Sequence, residues 1–190
     1  MNRPLQVLAA VLILTLATAA TAAQWESTSA SFLYGTDHKL SAKSEMLIIT
    51  LEHADGWAYG DNFFFFDITQ PQDDGTGVYG EWHPRLSGSK IFKQDMSFGP
   101  VKDVLLASEL NVGDNVRIYL YGLGFDLDIP HFAWAKVNVF IRDDANIEDE
   151  TTYQISPSWN LPFTVGNANL EFTGFVDIAG AGARSGVAGV

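Results

Sequence analysis

The 190-residue chain contains no cysteine. That removes both a disulfide framework and thiolate chemistry, so backbone pairing and packing must hold the fold together. Basic residues are scarce: 11 Lys and Arg stand against 23 Asp and Glu, a formal charge of −12. With no basic patch to meet phosphates, nucleic acid is not an expected partner. Beyond the first twenty or so residues no apolar run approaches the roughly 18 that read as a spanning helix. A membrane barrel is untouched by that absence, because its strands alternate and give no continuous apolar signal. Helical periodicity is missing as well, since no segment repeats its apolar positions convincingly every 3.6 residues.

The one continuous apolar stretch opens the chain. "MNRPLQVLAAVLILTLATAATAA" carries Arg3, an apolar run from Leu5 to Leu16, and then small residues. Ala20-Thr21-Ala22 has the A-x-A form of a signal-peptide cleavage site. The expectation is a Sec-type signal peptide over 1–22, cut after residue 22 or 23, rather than a membrane anchor, for which the run is too short. Without Arg3 the exported chain holds 10 basic and 23 acidic residues, a charge of −13.

From Trp25 onward the pattern has period two. In "NVRIYLYGLGF" (115–125), Asn115, Arg117, Tyr119 and Tyr121 oppose Val116, Ile118 and Leu120. In "FAWAKVNVFIR" (132–142), Phe132, Trp134, Lys136, Asn138, Phe140 and Arg142 oppose a face of Ala, Val and Ile. "NANLEFTGFVD" (167–177) sets Glu171, Thr173, Phe175 and Asp177 against Leu170, Phe172 and Val176. Weaker alternation marks 25–35, 45–53, 57–68, 79–87, 101–111 and 150–158, with breaks at "HADGW", "TQPQDDGTG", "LNVGDN", "DLDIPH", "RDDANIEDE" and "NLPFTVGN". This predicts about nine strands of roughly nine to twelve residues. Soluble strands average about 5–6 residues, whereas a tilted membrane strand needs roughly 9–11. Aromatics gather towards the strand ends, as at the two membrane interfaces. An antiparallel transmembrane β-barrel therefore fits better than a soluble sandwich, whose polar face would be dominated by Lys, Glu and Thr.

"YGDNFFFFDI" (59–68) is explained by such a wall. Alternation turns Asp61, Phe63, Phe65 and Asp67 into the lumen and Asn62, Phe64, Phe66 and Ile68 towards lipid. Applied throughout, it nominates Phe63, Phe65, Tyr119, Tyr121, Phe132, Trp134, Phe140 and Phe175 as lumen rings. Asp61, Asp67, Arg117, Lys136 and Glu171 are the polar partners expected to contact a solute, with Glu81, His83, Arg85, Asp103, Glu109, Arg142 and Asp177 on the same faces. Rings stack on a base for about 1–3 kcal/mol each, whatever the base, and a channel needs sites weak enough to release. Ion pairing across the lumen is the alternative role for any single charge.

The stretches "YGDNFFFFD", "MSFGPVKDVLLASEL", "YLYGLGFDLD" followed by "NVF", and "LEFTGFVDIAG", in order between Trp25 and Gly180, resemble the nucleoside-specific channel family of Gram-negative outer membranes, the Tsx-like group that includes the OmpK proteins. The resemblance implies a monomeric 12-stranded barrel that passes nucleosides and deoxynucleosides by facilitated diffusion, in contact with outer-membrane lipid and lipopolysaccharide. Some members of the family also serve as bacteriophage or colicin receptors. It implies no cofactor, no metal and no catalytic residue. The departure is at the end, where residues 23–178 supply about nine strands and 179–190, running into "AGAGARSGVAGV", form a low-complexity tail without a closing aromatic. The expectation is a C-terminally truncated, partly open barrel, with a non-transporting version as an alternative.

The rival from another class is an outer-membrane barrel enzyme acting on lipid, with His53 or His83 as base, though no Ser stands in a nucleophile context. His38, His53, His83 and His131 lack metal-ligand spacing. Asp73-Asp74 and Asp143-Asp144 read as solvated acidic loops.

Overall fold

A computed structural model describes residues 23–36, 45–71, 75–146 and 151–180. The signal peptide at 1–22, Asp73-Asp74, His38 and positions 181–190 of the tail lie outside the described residues. The strands are β1 (Trp25–Thr36), β2 (Glu45–Trp57), β3 (Gly60–Pro71), β4 (Gly77–Ser87), β5 (Val101–Gly113), β6 (Val116–Leu127), β7 (Trp134–Asp144), β8 (Thr151–Val165), β9 (Ala168–Phe175) and β10 (Ile178–Ala179). Each of β1 to β8 pairs antiparallel with the next in sequence. β10 continues β9 along the same edge of β8, pairing Ile178 with Ile155. The result is one meandering sheet of nine rows, curled into a half-barrel.

Period-two alternation produces this because each row from β2 to β8 has its backbone paired with a neighbour on both sides while its side chains meet one of two solvents. A 12-residue strand such as β1 or β3 is about 40 Å long and spans about 30 Å when tilted by about 40°. No helix among the described residues is long and apolar enough to cross a membrane. One short helix, α1 (Gly88–Phe92), lies in the β4–β5 connection. Ser87 caps it by accepting from the Lys90 amide, and Lys90 Nζ donates to the Trp57 carbonyl at 2.9 Å, tying this connection to the β2–β3 turn.

Which face is concave follows from contacts between strands that are not neighbours, since side chains can meet over an intervening strand only on the inside of a curl. Arg85 on β4 reaches Asp126 on β6, and Lys136 on β7 reaches Asp61 on β3. Ala107, Ile118, Leu120 and Phe140, from β5, β6 and β7, form a buried cluster on that same inner face. The convex face carries exposed apolar groups, among them Phe32 (74% exposed), Leu106 (60%), Phe66, Val78, Leu123, Ile141 and Phe172. Such a band is costly in water and suited to hydrocarbon.

The sequence signals understate strand length at turns rich in Gly and Asp. His53–Trp57 continues β2, with Asp55 and Gly56 paired to Asn62 and Asp61, and the reversal falls at Ala58-Tyr59. β5 extends through Gly113, and β8 runs through "NLPFTV" to Val165 before turning at Gly166-Asn167. Ladder pairing overrides local turn propensity at these positions.

Candidate functional site

The inner face of β3 and β4 is a ladder of directly opposed residues: Asp61 with Arg85, Phe63 with His83, Phe65 with Glu81, and Asp67 with Tyr79. Its rings form a band. Phe63 and Phe65 have centroids 6.1 Å apart, Phe65 lies 6.0 Å from Tyr79, and Phe63 meets His83 edge-on at 5.4 Å. Such spacings are those of weakly attractive aromatic pairs. All four rings are half-buried, lining the curl rather than filling it.

One charged cluster stands at an end of this band and a second is interleaved with its rings. Towards the β2–β3 turn, Arg85 is 3% exposed and grips Asp61 through Nε at 2.8 Å and Nη2 at 2.6 Å. The same Nη2 lies 3.0 Å from Asp126, and Lys136 stands 3.8 Å from Asp61, so two cations meet two carboxylates. Lys136 also sits 5.5 Å above the ring of Trp134. At the level of the rings, His83 Nε2 is 2.8 Å from Glu81 and Nδ1 is 3.2 Å from the buried Glu109. The Tyr79 hydroxyl donates to Glu81 at 2.5 Å.

Of the residues nominated from alternation, Asp61, Phe63, Phe65, Asp67, Trp134, Lys136, Phe140, Glu171 and Phe175 fall in the inner phase of their strands. Asp67 accepts from Thr50 at 2.6 Å. Glu171 and Phe175 stand on β9, where Asn160 donates to Glu171 at 2.9 Å and Phe175 is exposed. Phe140 faces inward but is only 2% exposed, enclosed by Ala107, Ile118 and Leu120.

Arg117, Tyr119 and Tyr121 require correction. They occupy the convex face, Tyr119 42% and Tyr121 50% exposed, while Ile118 and Leu120 point into the curl. The polarity of the first half of β6 is inverted because the lumen wall there is filled by an apolar cluster. Tyr119 lies towards the end of the strand where β5 turns into β6, a level at which a phenol suits a membrane interface, and Tyr121 lies nearer its middle. One signal for the true phase was present: Asp126 shares a face with Ile118 and Leu120, and it pairs with Lys136.

Tyr79, Asn111 and Asp126 are inner-face residues that alternation alone did not nominate. Tyr79 is found through register, as the partner of Asp67, and Asn111 as the partner of Glu81.

The histidines considered as enzyme bases occupy different faces. His53 lies outside, with Nδ1 2.7 Å from the Thr28 hydroxyl and its ring 5.2 Å from Phe64. Its other nitrogen is 3.8 Å from Asp55, beyond hydrogen-bond distance. His83 is the inner histidine, held between two carboxylates.

Comparison with known proteins adds a family. Residues 23–184 match the model of the nucleoside-specific channel-forming protein family, Tsx. The outer membrane protein OmpK of Vibrio parahaemolyticus is 28% identical over 126 residues, 63% of this chain and 48% of that protein. OmpK of the serotype O3:K6 strain RIMD 2210633 is 27% identical over 110 residues, covering 53% of this chain and 41% of its own length. The chain thus spans about half the length of the curated relatives it matches.

Proposed function

Because the chain belongs to the nucleoside-specific channel-forming protein family, Tsx, we propose that it forms channel wall in a Gram-negative outer membrane and lines a passage for nucleosides and deoxynucleosides. The observation that carries this reading is the ring band of Phe63, Phe65, Tyr79 and His83 on the concave face, with one cluster of ions at its end and another interleaved with its rings. A nucleoside is a flat base joined to a polyhydroxyl sugar. Rings accept the base by stacking, and the flanking carboxylates, Arg85 and Lys136 replace water around the ribose. Neither needs a reaction, and family and site chemistry together favour passage over catalysis.

Exposed Phe, Leu, Val and Ile side chains on the convex face support contact with membrane lipid, with lipopolysaccharide in the outer leaflet, and a monomeric wall. β1 and β9 are sheet edges among the described residues. An unpaired backbone group in hydrocarbon costs several kcal/mol, so in the membrane both edges must meet further backbone.

The test is uptake of radiolabelled nucleoside by a strain lacking nucleoside channels and expressing this chain. Faster uptake than in the vector control, abolished in a Phe63→Ala/Phe65→Ala variant, is expected. Unchanged uptake by a chain shown to be inserted in the outer membrane would overturn the reading.

A further inference from the structure

We infer that Glu81, His83 and Glu109 form a lumenal binding site for a divalent transition-metal ion of the zinc type. Their ligand atoms, one carboxylate oxygen from each Glu and one imidazole nitrogen, all lie within 4.8 Å of one another. Neighbouring ligands around a tetrahedral zinc are about 3.3 Å apart, given bonds of about 2.0–2.1 Å. The separation of 3.2 Å between His83 Nδ1 and Glu109 is already close to that distance. The second nitrogen, Nε2, lies 2.8 Å from Glu81, so the imidazole stands between the two carboxylates.

A second observation is independent of the ligand set. Asn111 is 4% exposed, stands opposite Glu81 in the β4–β5 register and two residues from Glu109 on the same face. Its amide engages the Glu109 carboxylate, yet its Oδ1 is buried with no hydrogen-bond partner among the described residues. A buried carbonyl oxygen without a donor is costly. Beside two carboxylates and an imidazole, it is a fourth, neutral donor awaiting a cation.

Charge points the same way. Glu81, Glu109 and Asp177, which acts electrostatically on both His83 and Glu109, outnumber the cationic groups around them. Arg142 acts on Tyr79 and donates to Gln154 at 2.6 Å. The other lumenal cluster instead balances Arg85 and Lys136 against Asp61 and Asp126. A mixed oxygen and imidazole set favours zinc-type ions over Mg2+ or Ca2+, which prefer oxygen alone. Phe63 and Phe65 lie directly opposite His83 and Glu81, so a bound ion would neighbour the ring band. The site depends on the fold and not on whether nucleosides pass.

Calorimetric titration of the full chain, folded in detergent micelles, with Zn2+ alone is expected to show one saturable site. His83→Gln and Glu109→Gln should each weaken it by about 100-fold, and the supporting Asn111→Ala by about 10-fold. His53→Gln, on the outer face, should leave it unchanged. Equal affinity in His83→Gln, or equal binding of Mg2+, overturns the inference. Should a variant fail to fold, the unaltered chain labelled with 15N-histidine decides. Zn2+ must shift the His83 ring nitrogens, and a ring left unshifted is an ion-paired imidazolium only, which also overturns it.

Discussion

Arg85 on β4 and Asp126 on β6 approach to 3.0 Å although β5 runs between them. The guanidinium passes over Ala107, its β5 partner, and over Gly124, where an added Cβ would lie 3.5 Å from Arg85 Nη1 and only 2.7 Å from Asn138 Oδ1. Small residues on two successive strands make the groove through which this bridge crosses. Since Arg85 also holds Asp61, one cation links β3, β4 and β6 on the concave face.

Removing that cation leaves two carboxylates without their main partner. Arg85→Met is expected to destabilise the folded chain by about 3–5 kcal/mol, most of it recovered when Asp61→Asn and Asp126→Asn are added. Urea unfolding in detergent micelles, followed by the loss of strand circular dichroism, measures both.

The ring band and the outer tyrosines should separate cleanly. Phe63→Ala and Phe65→Ala each remove about 1–3 kcal/mol of stacking, on the order of a tenfold loss in apparent nucleoside affinity. Tyr119→Ala and Tyr121→Ala, on the convex face, should leave affinity unchanged. Concentration dependence of uptake distinguishes them, and equal losses in both sets would contradict the facing of β6.

The inner apolar cluster predicts its own defect. Leu120 is fully buried against Ala107, Ile118 and Phe140, so Leu120→Ala should cost about 2–5 kcal/mol through lost contacts and a cavity. A change in unfolding free energy of under about a few tenths of a kcal/mol would mean that the cluster is not packed.

Solvent on the convex face is testable by charge. Leu106→Arg and Leu123→Arg are expected to destabilise the bilayer-inserted chain by about 2–4 kcal/mol if these positions meet mid-bilayer hydrocarbon. Ser29→Arg, on the inner phase opposite Glu52, should be tolerated. Folding yields into lipid vesicles for the three variants give the comparison.

The architecture was legible in the chain because a strand between two solvents writes its two faces at alternate positions. "NFFFF" between Asp61 and Asp67 shows this well: both ring sets and both carboxylates were assigned to the faces that they occupy. The lumenal phase of Glu81, His83, Arg85 and Lys136 followed from the same rule. Boundaries were less legible, since Gly56 and Gly113 favour turns locally yet are held in strands by their neighbours.

Alternation along a strand states that two faces differ, and composition usually says which is wet. For β6 it could not, because the inside of this curl is wet around Phe63 and dry around Leu120. Only the folded sheet decided that Ile118 and Leu120 face inward and that Tyr119 and Tyr121 face out. The same holds for Arg85 meeting Asp126, and for His83 lodged between Glu81 and Glu109. Those contacts depend on curvature and register, which bring residues of different strands together, and no local pattern encodes a distance across a lumen.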